Sequence, residues 1–468
     1  MTPRTRAATA ETPTASFLLE HLSAVGGLVV DPFLGSGAIA REAFSRGRRF
    51  VGCDVNPTAI ELARLFVDPP SQASLAAAFR SVQARVREEI ERQYRLENGG
   101  AASHFLWDDT TLKSVWTKRE GRRARVELAP TDHDLALCSL YERYSPTQLR
   151  PLRIHHNSRI NTRTVTDWRS LFTGRSLRSI ELLHGAIGTL DDARVRRALL
   201  LVLTASVGQM SKMVFAIERR GKTKGAAETS RVEVGSWVIG FWTPTLRFEV
   251  NAWNCFSNKA ARLLRGLHDE SHGLRPVSLA DRPQLVTEGA ADVALMDGDA
   301  RTLAALLPPR SVELIATDPP HGDRIPYLEM SEVWNALLGH QPDFEQELVV
   351  SNARERGKDL ASYARQLRVT LAAFVPGLTN DGTLAVMFNS RSHAEWATLL
   401  DAAEGAGLAY RGRVPMAYSA RSVVQDSRAG ALEHDFVVLF SRTRSRAMPQ
   451  RLQALASKLP RWSSARPV

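Results

Sequence analysis

The sequence predicts an α/β protein: one doubly wound sheet interrupted by a large mixed α+β insertion. Two observations lead there. Residues 27–66 run strand, glycine turn, helix, strand, helix, which is the βαβ unit of a parallel sheet. The same alternation returns after residue 290, while residues 68–290 follow a different pattern of charged helices and aromatic, Thr-rich pieces. The sheet domain is therefore expected over residues 15–67 and 291–441, with 68–290 as an inserted region. A flexible tail over 1–14 and a basic, peripheral tail over 442–468 complete the division.

In chain order, residues 16–25 suit one short helix. GLVVDPF (27–33) is a continuous apolar run of buried-strand type. After the turn LGSG (34–37) a helix follows to about residue 46, and FVGCDV (50–55) is a second buried strand. Pro57 suits the first turn of the next helix. Residues 74–96 read as a long charged helix, 105–134 as a small β-element, and 177–213 as helix; 247–264 read as strand followed by helix. The α/β rhythm resumes with strands at 292–296 and 312–316, a helix at 360–375 and a strand at 383–388. A helix at 393–404 and a strand at 435–440 close it.

Composition narrows the class. The chain has 468 residues, 44% hydrophobic and 24% charged, enough for two or three domains with proper cores. A net charge of +11 favours a polyanionic partner without fixing a fold. The three cysteines, Cys53, Cys138 and Cys255, lie far apart with no CxxC spacing, which argues against a zinc ribbon or a disulfide framework and fits a reducing cytosol; no metal is expected. With no secretory signal and no apolar run long enough to span a bilayer, a cytoplasmic protein is expected.

The turn Asp31-Pro32-Phe33-Leu34-Gly35-Ser36-Gly37 joins a strand to a helix, where a nucleotide-binding loop must sit. Gly35 and Gly37 permit positive φ and close backbone approach, although a tight turn without a ligand has the same need. No Gly-Lys-Ser/Thr follows, so a phosphate cradle is not expected. Asp54 closes the next strand seventeen residues after Gly37, a place from which an acidic side chain can hold ribose hydroxyls; Asn56 follows it. Asp299 ends the third strand of this set, where it can accept from an adenine amino group. Helix capping is the plain alternative for Asp54 and Asp299.

The most informative stretch is Thr317-Asp318-Pro319-Pro320-His321, directly after a strand. Two prolines fix φ and withdraw two backbone donors, so the corner presents acceptors: the Asp318 carboxylate and the Pro319 carbonyl. Such a corner can hold both hydrogens of an exocyclic amine and leave its lone pair free. At DPFxGSG (31–37), GCDVNP (52–57) and TDPPH (317–321) the chain resembles the adenine-specific DNA methylase family. Weaker resemblance covers 247–258 and 422–440. The resemblance implies a Rossmann-like methyltransferase sheet and S-adenosyl-L-methionine as cofactor. Asp31, Phe33, Gly35 and Gly37 would line its methionine and adenosine parts, with Pro32 and Ser36 in the same turn, Asp54 on the ribose and Asp299 on the cofactor adenine. Asp318 and Pro319 would hold the target amine, Pro320 would stiffen the corner, and His321 would take the stacking position usually filled by Tyr or Phe. It further implies direct methyl transfer to adenine N6 in double-stranded DNA, within a restriction-modification or phage-defence system. An RNA substrate, cytosine N4, or a silent DNA-binding relative are the alternatives.

The inserted region carries the charge. Between residues 153 and 224 there are fourteen Lys and Arg against five Asp and Glu. RIHHNSRINTRTVTDWR (153–169) alternates basic residues with Asn, Thr and His, types suited to phosphates and base edges. Arg153, Arg159, Arg163, Arg169, Lys222 and Lys224 are the expected nucleic-acid contacts; a solvated face is the plain reading of any one of them.

Overall fold

The structure is a computed structural model; it describes residues 14–118, 125–160, 165–221, 229–235, 240–270, 276–321, 325–390, 392–417, 434–443, 448–458 and 463–464. Its centre is an eight-stranded mixed sheet. In chain order the strands of that sheet and its neighbours are β1 (Leu28–Asp31), β2 (Arg49–Asp54), β3 (Ala102–Asp108), β4 (Thr111–Lys118) and β5 (Arg125–Leu128). β6 (Ala216–Gly221), β7 (Thr229–Val234), β8 (Leu246–Val250), β9 (Leu279–Ala280) and β10 (Val293–Asp297) follow. The set closes with β11 (Val312–Thr317), β12 (Leu378–Phe388), β13 (Leu408–Ala417) and β14 (His434–Arg442). The large sheet has the order β13-β14-β12-β11-β1-β2-β10-β9. Its pairs from β9 through to β12 are parallel, and β14 runs antiparallel to both β12 and β13.

Strand order reverses between β1 and β11. The chain moves outward from β1 through β2 to β10 on one side and from β11 to β12 on the other. That reversal opens a crevice at the carboxyl ends of the strands, the place where open α/β sheets bind ligands. Alternation along each strand feeds two cores. Val30, Val51, Ala294, Ile315 and Leu384 face the helices Ala300–Leu306, Leu360–Phe374 and His393–Gly405. Val29, Phe50, Leu295, Leu314 and Ala385 face the helices Thr14–Leu22, Ala38–Ser45, Pro57–Val67 and Gln450–Lys458. Strands buried on both faces explain the continuous apolar runs in their sequences.

β13 and a C-terminal helix are among the elements that depart from the sequence reading. β13 was not expected: Gly412 and Pro415 interrupt its pattern, and such residues are tolerated because it is an edge strand. The C-terminal stretch expected to be peripheral contributes the helix Gln450–Lys458, whose Leu452 and Leu455 are fully buried in the second core.

Residues between Gln72 and Glu270 build a core of their own. The helices Gln72–Arg92, Gly174–Gly188, Ala193–Met210 and Ala252–Glu270 pack together, with an antiparallel sheet β5-β4-β3-β8 beside them. β6 and β7 form a separate hairpin. Val333 and Leu337, from the helix Glu332–Leu338 just after the Pro-Pro corner, are buried in this same core. Among the described residues no helix is long and apolar enough to cross a membrane.

Candidate active site at the strand ends

Four adjacent strands, β11, β1, β2 and β10, end in or beside carboxylates: Asp318, Asp31, Asp54 and Asp297. Asp31 is 2% exposed. It accepts from the Thr317 hydroxyl at 2.7 Å and from the Phe33 N–H at 3.1 Å, and both bonds fall on Oδ1. Burial pushes its carboxyl up to about 7; the two hydrogen bonds oppose the rise and the nearby Asp54 and Asp318 charges add to it. Pro32 is buried beneath the turn and Phe33 is half-buried against the first core.

Asp54 ties the glycine turn to the turn that follows β2. Its Oδ2 accepts from Gly35 N–H at 2.9 Å and its Oδ1 from Asn56 N–H at 2.9 Å. Burial raises its carboxyl to about 6, opposed by these two bonds and assisted by Asp297. The glycines differ in role. Gly37 has φ 80°, and a Cβ there would lie 2.6 Å from the Ala63 Cβ, so this glycine lets the helix Pro57–Val67 pack close. Gly35 has φ 53° and nothing within 4 Å of an added Cβ: it faces open space, with exposed Ser36 beside it. Of the two, Gly35 is the one whose missing side chain leaves room for a ligand.

Asn56 caps the helix Pro57–Val67 by accepting from Thr58 N–H at 3.2 Å, and also accepts from Asn335 Nδ2 at 3.1 Å. Asp299 lies beyond the strand rather than at its end, since β10 stops at Asp297. It caps the helix Ala300–Leu306 through Arg301 N–H at 2.9 Å and pairs with the Arg301 side chain at 2.7 Å. The capping alternative is therefore the geometry present at Asp299. Asp297, which the sequence reading passed over, is registered beside Asp54, exposed, and has a carboxyl raised chiefly by burial.

The Pro-Pro corner is braced from below. The Tyr363 hydroxyl donates to the Pro320 carbonyl at 2.6 Å. Asp318 is 61% exposed, and its Oδ1 lies 3.0 Å from His321 Nε2. That nitrogen is also 3.2 Å from the Met387 carbonyl, and the ring meets Phe388 edge-on with centroids 4.9 Å apart. Beyond the corner, the buried Glu329 accepts from Arg356 at 2.6 Å and from Asn157 at 2.5 Å, while Arg356 also pairs with Glu347 at 2.7 Å. His155 Nδ1 lies 2.5 Å from Glu332, whose carboxyl is raised to about 7, burial outweighing the His155 contacts.

This network changes the reading of residues 153–169. His155 and Asn157, expected among nucleic-acid-facing types, are instead bound to the helices that follow the corner. Arg153 is exposed and 3.4 Å from Glu355, and Arg159 is exposed. Arg169 is clamped by Asp167 at 2.9 Å. Arg163, Lys222 and Lys224 lie outside the described residues. Thr317, Tyr363 and Arg356 had no distinguishing signal of role: Thr317 was visible only as a strand end, and the other two lie far from the corner in sequence. Among the described residues no group of three or more His, Cys, Asp or Glu can hold a metal ion.

A DNA methylase family model matches residues 8–65, a stretch that covers β1, the glycine turn, β2 and most of the helix after it. No curated protein matches the chain.

Proposed function

We propose that this protein is a DNA amino-methyltransferase that binds S-adenosylmethionine against the glycine turn and methylates the N6 amine of adenine. The observation that carries the reading is the row of carboxylates at the ends of β11, β1 and β2, with Asp31 raised to about 7 inside it. A buried carboxyl with two further carboxylates beside it is relieved by a cation. S-adenosylmethionine supplies, when bound, a methyl group on a positively charged sulfur, and it also carries an ammonium group. Asp31 fits the cationic end because Thr317 and Phe33 both bind Oδ1 and neither takes Oδ2. Gly35 offers the open face, and Asp54, held at the turn, is within the same crevice for hydroxyl groups. The match of residues 8–65 to a DNA methylase family, and a mixed α/β sheet compatible with a methyltransferase fold, support the same reading.

The corner does the rest. An exocyclic amine is a weak nucleophile because its lone pair is delocalised into the ring. Accepting its two hydrogens at the Asp318 carboxylate and the Pro319 carbonyl favours a more pyramidal, more reactive nitrogen, and fixed placement supplies much of the remaining acceleration. Methylation leaves the nitrogen one proton in excess, and the exposed Asp318 carboxylate can pass it to solvent. A base from a duplex must be flipped out to reach the corner, at roughly a few kcal/mol.

The test is methyl-labelled S-adenosylmethionine incubated with DNA and, separately, RNA, with Asp318→Ala run alongside. Label in DNA that disappears in the variant supports the proposal. Label confined to RNA moves the substrate, and no label despite cofactor binding overturns the enzymatic reading.

A further inference from the structure

We propose that Asn335, on the helix that follows the Pro-Pro corner, is a positioning residue for the cofactor site: it pins the turn after β2 so that Asp54 stays directed at the glycine turn. The inference rests on the S-adenosylmethionine reading for its consequence but on local geometry for its substance. Asn335 is fully buried. Its Oδ1 accepts from the Thr58 hydroxyl at 2.7 Å and from the Thr58 N–H at 3.2 Å. Its Nδ2 donates to Asn56 Oδ1 and to Ser331 Oγ, each at 3.1 Å. A carboxamide accepts twice and donates twice, so every capacity of this side chain is used. Three of the four bonds cross from the helix Glu332–Leu338 to residues 56–58.

From Asn56 the contacts run on to the open face of the glycine turn. Asn56 N–H donates to Asp54 Oδ1 at 2.9 Å, and Asp54 Oδ2 accepts from Gly35 N–H at 2.9 Å. Those two N–H groups oppose the cost of holding the Asp54 carboxylate away from water. One of them belongs to the residue whose side chain Asn335 grips. Loss of the grip frees the Asn56 carboxamide to rotate and the turn to shift, and a carboxylate that follows its donor leaves Gly35. The helix itself is held from the opposite side. Glu332 pairs with His155, His184 Nε2 lies 3.0 Å from the Leu337 carbonyl, and Val333 and Leu337 are buried in the core built by residues 72–270. Asn335 therefore imposes a position on the turn rather than following it.

A residue that only packs the helix and one that acts through Asn56 differ in how their losses combine. Calorimetric titration of S-adenosylmethionine into the full chain reads this directly. We expect Asn335→Ala and Asn56→Ala each to raise Kd by about tenfold or more. The double variant should bind at least about threefold more tightly than the product of the two losses requires, because both remove one contact. Losses that simply multiply overturn the proposal, as does a folded Asn335→Ala protein that binds like wild type. Thr58→Val removes only the hydroxyl bond and keeps the shape, so it decides the matter if Asn335→Ala does not fold. Its Kd should rise about threefold, and an unchanged Kd overturns the proposal.

Amide hydrogen exchange of the full chain, read by mass spectrometry, needs neither cofactor nor turnover. In Asn335→Ala, peptides spanning residues 54–58 should exchange faster while those from β12 and β14 keep the wild-type rate. Unchanged exchange over 54–58, or acceleration throughout the chain, refutes the pin. If the local change is found but the wild type does not bind S-adenosylmethionine, the positioning inference stands and the functional reading falls.

Discussion

Asp31→Asn should make the protein more stable at neutral and alkaline pH while removing its affinity for S-adenosylmethionine. The wild-type carboxyl is 2% exposed and titrates near 7 in the folded chain, against 3.8 for the unreacted side chain in water. The folded state thus binds the Asp31 proton more tightly than the unfolded state. Below the unfolded value both states are protonated and the group is neutral in its effect. As pH rises toward 7 the unfolded chain ionises first, and stability falls over that window. Roughly three pH units at about 1.4 kcal/mol each sets an upper limit on the order of 4 kcal/mol. Asparagine keeps an oxygen for the Thr317 hydroxyl and the Phe33 N–H but buries an NH2 with no assured partner, a loss of about 1–2 kcal/mol. The net expectation is a gain of about 2–3 kcal/mol above pH 7 that shrinks toward pH 5. Denaturant titrations of both proteins from pH 5 to 8.5, with calorimetric titration of S-adenosylmethionine, measure both effects. A variant no more stable than wild type at pH 8, or a difference indifferent to pH, would refute the argument from burial. Undiminished cofactor affinity would refute the role given to the carboxylate.

The remaining predictions divide structure from function in neighbouring residues. Gly37→Ala meets the Ala63 Cβ and an unfavourable φ, so it should lose about 2–4 kcal/mol of stability by thermal or denaturant unfolding. Gly35→Ala meets nothing and should lose only about 1 kcal/mol, yet weaken S-adenosylmethionine binding at least tenfold by calorimetry. Arg356→Met strands the buried Glu329 and Glu347 carboxylates and should destabilise by about 3–5 kcal/mol, a loss that shrinks at low pH as Glu347, whose carboxyl burial holds above its ordinary range, takes up its proton. Leu455→Ala should lower stability by about 2–5 kcal/mol, which a freely moving tail would not do.

Legibility in the sequence followed the range of the interaction. Strands buried on both faces appear as unbroken apolar runs, so β1, β2, β10, β11 and β12 could be placed from composition and spacing, and the corner at Asp318 followed from two adjacent prolines. Edge strand β13 could not, because an edge tolerates Gly412 and Pro415 where a central strand does not. The site divided the same way. Asp31 and Asp54 were visible as acids at strand ends, but their burial and partners were not: the Thr317 hydroxyl that donates to Asp31 is on the next strand, 286 residues away. Residues 153–169 show the opposite failure. Polar and basic types there looked like a surface for phosphates, yet His155 and Asn157 face Glu332 and Glu329, residues more than 170 positions away. Composition reports that a side chain can hydrogen-bond; the partner is fixed by tertiary packing. His321 illustrates the point too, since its Nε2 is bound to the carbonyl of Met387 on β12, 66 positions away.

The most direct test of the central claim is the identity of the methylated nucleoside. DNA treated with the purified protein and methyl-labelled S-adenosylmethionine should be digested to nucleosides and the labelled species identified by mass spectrometry. The account predicts N6-methyldeoxyadenosine from the wild type and none from Asp318→Ala. N4-methyldeoxycytidine would keep the corner's chemistry and contradict the adenine assignment; unlabelled DNA from a protein that binds the cofactor would contradict the account as a whole.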